Sequence, residues 1–95
     1  MTLDTPVRIS SAAAKQPPSH MGWKPGTRVS LDNALKIMLV KSANDIAVAV
    51  GEAAGGPNYP DAMNAAAAKL GMTGSHFVNA NGLHSPQHYS TARDL

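Results

Sequence analysis

Two apolar runs separated by one short polar cluster dominate this chain. Leu31 to Val40 and Ile46 to Val50 flank Ser42-Ala43-Asn44-Asp45. In the first run Leu31, Ala34, Leu35, Met38 and Leu39 recur at i, i+3, i+4, i+7 and i+8, which is one apolar face of a helix. Ser30 is a good N-cap, and Asp32 in the first turn suits the positive end of the helix dipole. The helix is predicted to end near Val40 or Lys41, where a cation suits its negative end. The second run predicts a helix from about Asp45 to Ala54. It is apolar almost all round, the mark of a buried helix rather than a surface one.

Gly55-Gly56-Pro57 stops that helix. Asn58 is placed to cap a third, with Pro60 in its first turn, where a missing N–H costs nothing. Met63, Ala66, Ala67 and Leu70 would form its inner face, and Gly71 is a natural residue just past its end. The Ala65 to Ala68 run fits helix propensity and close packing. Before the helices, Thr5 to Ile9 reads as a brief strand. Ser10 to Gly26, rich in Ser, Pro and Gly, reads as an irregular connection pinned by Trp23. Beyond the helices, Phe77-Val78 reads as a short extended piece and Asn79-Ala80-Asn81-Gly82 as a turn. Ser90 or Thr91 would cap a further helix, with Thr91 and Asp94 spaced as a capping box. That helix would be cut off at Leu95 after barely one turn, as in an internal piece of a longer domain.

The bulk numbers narrow the function classes. The chain has 95 residues, enough for one small domain with a thin core. Much of its apolar content is alanine, and its aromatics are Trp23, Tyr59, Phe77 and Tyr89 only. The net charge is +2, with Lys and Arg scattered singly, so nucleic-acid binding has no footprint here. No apolar run approaches the ~20 residues of a membrane span. Met1 to Ile9 lacks the charged lead and apolar core of a secretory signal. With no cysteine, a disulfide framework and most structural zinc sites are excluded. His84 and His88 are four apart, but Pro86 between them breaks the helix that would present both to one metal. His76-Phe77 reads as packing at the end of the third-helix unit. No cofactor or metal is expected.

The polar cluster has two readings. Ser42, Asn44 and Asp45 are all residues that start helices, so the cluster could simply cap the second helix. It could also carry chemistry. On a helix Ser42 and Asn44 would point to nearly opposite sides, but in an extended or turn segment they can face one site. At the N-terminus of a buried helix a hydroxyl and an amide become oriented hydrogen-bonding groups.

Several strings, in order, then resemble one family. Lys24-Pro25-Gly26, the run LVKSANDIAVAVGEAAGG, Met63-Asn64, AAKLGMTGSHFVNANGL and STARDL together resemble the penicillin-binding D-alanyl-D-alanine carboxypeptidases, from about Val7 to Leu95. Ser75 departs from the pattern, standing where Thr is common. That family uses Ser-x-x-Lys, Ser-x-Asn and Lys-Thr-Gly in chain order. The resemblance makes Ser42-Ala43-Asn44 the second motif. It implies that Ser42 hydrogen-bonds the catalytic Lys and helps pass a proton to the leaving D-alanine. Asn44 would hold that Lys and the acyl-side amide of the substrate.

Neither other motif occurs among these residues. Ser11 to Lys15 is Ser-x-x-x-Lys, one residue too long, which on a helix turns the Lys by ~100°. Lys24-Pro25-Gly26 precedes Ser-x-Asn and has Pro for Thr. The resemblance therefore implies a fold that is mainly α with short β pieces, the helical subdomain of the α+β fold of DD-peptidases and β-lactamase-like enzymes. Residues 1–95 would form a single partial domain, irregular with short strands over 1–29 and helical over 30–95. The implied function is a fragment of a serine-type carboxypeptidase that trims peptidoglycan stem peptides, inactive alone. Its partners would be those stem peptides and β-lactams, at the periplasm or the outer face of the bacterial inner membrane. Two alternatives stand beside it. One is a noncatalytic binding module that self-associates through apolar faces left uncovered, with exchange of terminal segments. The other is a DD-endopeptidase or β-lactamase-like relative.

Overall fold

A computed structural model describes residues 1–95. Two strands and four helices follow in the order β1 (Pro6–Arg8), α1 (Ser11–Ala14), β2 (Arg28–Ser30), α2 (Leu31–Lys41), α3 (Asn44–Gly55) and α4 (Tyr59–Lys69). The expected mainly helical architecture with short β pieces is what is found. β1 and β2 pair antiparallel with Pro6 opposite Ser30, Val7 opposite Val29 and Arg8 opposite Arg28. Val7 and Ile9 point to the protein side of this ribbon and are fully buried. No helix is long and apolar enough to cross a membrane.

The first helix boundary follows the sequence signals closely. Ser30 Oγ accepts from the Asn33 N–H at 3.2 Å, Asp32 lies in the first turn and Lys41 in the last. The second apolar run is the centre of the structure. α3 packs against α1, α2, α4 and β1, so it is covered on most sides. Ile46, Val48 and Ala49 join Val7, Ile9, Ala13, Leu31, Ala34 and Ala43 in one core cluster. Trp23 packs on its edge, as the loop around it requires. α4 approaches α3 closely because Gly51 and Gly55 face it. A Cβ on Gly55 would lie 2.9 Å from Tyr59 Cβ, closer than two carbons can sit.

Several local expectations are corrected. The Ser10–Gly26 connection is not wholly irregular, since Ser11–Ala14 forms a helical turn. Ser10 caps it, accepting from the Ala13 N–H at 3.0 Å, while its own hydroxyl donates to Glu52 Oε1 on α3 at 2.6 Å. Leu39 and Leu70 were assigned to inner faces by their period, yet each is 77% exposed. Periodicity finds a face, not the length of the partner that covers it. Ala66 is likewise exposed, and Ala67 is the buried residue of α4. Asn58 occupies the N-cap position of α4 without a side-chain bond.

After Lys69 the chain runs in turns. Asn64 fastens this part to α4, its carboxamide both accepting from the Phe77 N–H and donating to the Phe77 carbonyl, each at 2.8 Å. His76 and Tyr89 form an isolated antiparallel bridge with their rings stacked, and His88 Nδ1 accepts from the Val78 N–H. The Asn79–Gly82 turn is closed by the Gly82 N–H on Asn79 Oδ1 at 2.8 Å. The expected helix at Ser90 or Thr91 is only a turn, and its capping box is half made. Thr91 Oγ1 accepts from the Asp94 N–H, but the Asp94 carboxylate goes to the Gly74 N–H and the Ser75 hydroxyl instead.

Candidate functional site at the α2–α3 elbow

Ser42, Ala43 and Asn44 make a sharp elbow between the surface helix α2 and the buried helix α3. Ser42 ends α2 in the left-handed region, φ 53° and ψ 41°. It is the one non-glycine residue of the chain with a positive φ. A Cβ in that region costs roughly 1–2 kcal/mol, so the surrounding structure imposes it. Ala43 is extended, φ −77° and ψ 113°, and turns its methyl into the core. An extended residue sends its neighbours to the side opposite its own. On either side of it, Ser42 is exposed and Asn44 is half-buried, and the break between the helices frees the pair from the opposed directions of a continuous helix.

Capping does not explain the cluster. α3 has Ala43 at its N-cap and no side-chain cap bond. Ser42 is exposed, and its hydroxyl bonds to no protein group. Asn44 is half-buried and bonded to a segment far back in the chain. Its main-chain N–H donates to the Ser19 carbonyl at 2.8 Å, and its Nδ2 donates to the Pro17 carbonyl at 2.9 Å. The second Nδ2 hydrogen and the Oδ1 acceptor remain open.

Asp45 is the residue that sequence reasoning missed. It was read as a helix starter, and it is the buried charged side chain of the chain, with no exposed surface. Its carboxylate takes three main-chain N–H groups. Met21 donates to both oxygens at 3.0 Å, Gly22 to Oδ2 at 3.0 Å and Ile46 to Oδ1 at 2.9 Å. A buried carboxylate without such donors would be strongly unfavourable. The N-terminus of α3 adds its positive dipole end. The available signal was a charged residue heading an apolar helix; once buried without an ion pair, since Lys41 makes none with it, it has to find N–H donors somewhere.

An exposed hydroxyl and a half-free carboxamide, two residues apart at the head of a buried helix, are groups that can bind a polar reactant and relay a proton. The fold around them is that of the penicillin-binding DD-peptidases. The structure of the D-alanyl-D-alanine carboxypeptidase DacD from Francisella tularensis superimposes with a TM-score of 0.88 at 38% identity, over 99% of this chain and 23% of that one. Penicillin-binding protein D2 from Listeria monocytogenes, solved in a cefotaxime-bound form, matches with a TM-score of 0.75 at 29% identity, over 99% of this chain and 39% of that one. The family model described as D-alanyl-D-alanine carboxypeptidase matches residues 1–95, and the chain belongs to that family. Among curated relatives, DacC of Escherichia coli is 37% identical over 79 residues, which is 81% of this chain and 20% of that protein. The chain thus spans about a fifth of the length of that relative.

Proposed function

We propose that this chain supplies the second catalytic motif of a serine-type D-Ala-D-Ala carboxypeptidase, with Ser42 and Asn44 as its working side chains. The observation that carries the reading is the elbow itself. Ser42 is held in a costly left-handed conformation, exposed, with its hydroxyl uncommitted beside an Asn whose oxygen is free. The backbone of Ser42 ends α2, but a hydroxyl kept only for the fold would cap or pack as well.

In the reaction, a serine Oγ supplied by a Ser-x-x-Lys motif attacks the carbonyl of the penultimate D-alanine. The amide C–N bond breaks and the terminal D-alanine leaves as its amine, taking a proton. Water then hydrolyses the acyl-enzyme ester. Ser42 relays the proton between the Lys amine and the leaving nitrogen. Asn44 Oδ1 accepts from the Lys, and its free Nδ2 hydrogen donates to the acyl-side carbonyl of the substrate. A β-lactam, whose ring amide imitates the substrate, stops at the acyl-enzyme. The substrates would be peptidoglycan stem peptides, and the place of action the periplasm or the outer face of the inner membrane. Residues 1–95 would act as one part of a larger catalytic domain.

Labelling with a fluorescent penicillin followed by a denaturing gel tests this. The 95-residue chain should stay unlabelled, while the product of the whole gene should give a stoichiometric labelled band. A labelled band from the short chain, or none from the whole product, overturns the reading.

Leu39, Val40 and Leu70 are large apolar side chains at 77%, 79% and 77% exposure, which supports self-association when nothing covers them. Light scattering on the isolated chain should give a mass above the monomer that rises with concentration. A concentration-independent monomer would rule the association out.

A further inference from the structure

Residues Pro17 to Gly22 form a strap across the elbow, and two adjacent residues grip it. Asn44 holds its first half through the Pro17 and Ser19 carbonyls, and Asp45 holds its second half through the Met21 and Gly22 N–H groups. The chemistry of the two grips is opposite. Carbonyls of the strap meet donors of Asn44, while donors of the strap meet the acceptor-only carboxylate of Asp45.

That polarity has a consequence for Asn44. A carboxamide free to rotate presents either its oxygen or its NH₂ to a reactant. The Pro17 carbonyl is an acceptor only, so it selects the NH₂ and leaves Oδ1 facing away from the strap. The strap can do this only while its carbonyl is held at 2.9 Å from Nδ2, and its other anchor is Asp45. We propose that Asp45 is a positioning residue that acts through the Pro17–Gly22 strap to fix the orientation of the Asn44 carboxamide. The proposal rests on the reading of Asn44 as a working side chain. Asp45 touches no reactant. Its job is to keep an oxygen, rather than an NH₂, aimed at the cation that the elbow would bind.

Asp45→Asn is the sharpest perturbation. It keeps the shape but places an NH₂ among the N–H groups of Met21, Gly22 and Ile46, donor against donor. The strap should loosen and Asn44 should lose its fixed orientation. The measurement is the rate of acylation by a fluorescent penicillin in the product of the whole gene, for the parent, Asp45→Asn, Asn44→Ala and the double variant, with melting followed for each. Asn44→Ala should slow acylation by about 100-fold, the scale of losing one oriented polar group at a reacting centre. Asp45→Asn should slow it by about 10- to 100-fold, the scale of misplacing such a group. The double variant should be no slower than Asn44→Ala alone, because Asp45 acts only through Asn44.

A structural role would instead multiply the two losses, and that result overturns the proposal. If the parent is not labelled at all, the reading of the chain as part of a DD-peptidase fails, an outcome distinct from multiplied losses. Should Asp45→Asn not fold, Gly22→Ala disturbs the same anchor without removing a buried carboxylate, since Gly22 has φ 73°. The same absence of further loss on top of Asn44→Ala supports the proposal, and multiplied losses sink it.

Discussion

Ile46→Ala should lower the stability of this chain by about 2–5 kcal/mol, the range for truncating a large buried aliphatic side chain. The expectation rests on how little else the core contains. Six of its eleven buried apolar residues are alanines, namely Ala13, Ala34, Ala43, Ala47, Ala49 and Ala67. Ile46 and Ile9 are the largest fully buried side chains. Ile46 lies in the first turn of α3, the helix against which α1, α2, α4 and β1 all pack. A cavity there would lie among elements already in contact with one another, which limits how far they can close on it. For a domain of this size each kcal/mol moves the midpoint by about 4–8 °C, so thermal unfolding followed by circular dichroism should show a fall of roughly 8–40 °C. Leu39→Ala is the matched control. The same periodicity argument places Leu39 on an inner face, but it is largely exposed, and its loss should stay within about 0.5 kcal/mol. Equal shifts for the two variants would show that α3 is not the centre of the core.

That pair of leucine and isoleucine variants also marks the boundary of what the sequence carries. The helices over 31–41 and 44–55 were legible because their causes are local: a serine cap, a 3.6-residue apolar period, an all-apolar run ended by Gly55-Gly56. The exposure of Leu39 and Leu70 was not legible, since it depends on where neighbouring elements stop. The candidate site divides the same way. The i, i+2 spacing of Ser42 and Asn44 at a junction between helices, with the family's other strings around it, pointed to residues 42–44, where the structure does break between α2 and α3. The capping reading of the same residues failed because the caps of α3 come from a distance. Ser19 supplies a carbonyl to Asn44, and the side chain that looked most like a local helix starter, Asp45, reaches back to Met21 and Gly22. Nothing in the vicinity of residue 45 records that the chain some two dozen positions earlier will pass over it. α1 was missed for a related reason. Its single turn persists because Ser10 is bonded to Glu52 of α3, a partner 42 positions further along the chain.

Ser42→Gly should separate stability from activity. The left-handed φ of 53° costs a serine roughly 1–2 kcal/mol and a glycine nothing. Against this gain, glycine gives the unfolded chain more freedom, which costs about 0.4–1 kcal/mol. The balance is a variant as stable as the parent or more stable by up to about 1.6 kcal/mol. Ser42→Ala keeps the Cβ and its strain, so it should gain nothing. Both lack the hydroxyl, and in the proposed mechanism that hydroxyl carries the proton to the leaving nitrogen. General acid–base contributions of this kind are worth about 10²–10⁴-fold. In the product of the whole gene, both variants should lose acylation by a fluorescent penicillin to a similar extent, on the order of 100-fold or more, while only the glycine variant holds or raises the melting midpoint. The comparison is informative because a structural serine predicts a different pattern. If residue 42 serves only to turn the chain, glycine is the better residue there, and Ser42→Gly should label as fast as the parent. A strained backbone retained where glycine would relieve it implies that the side chain at that position is needed for something the fold does not require, and the two variants measure that need directly.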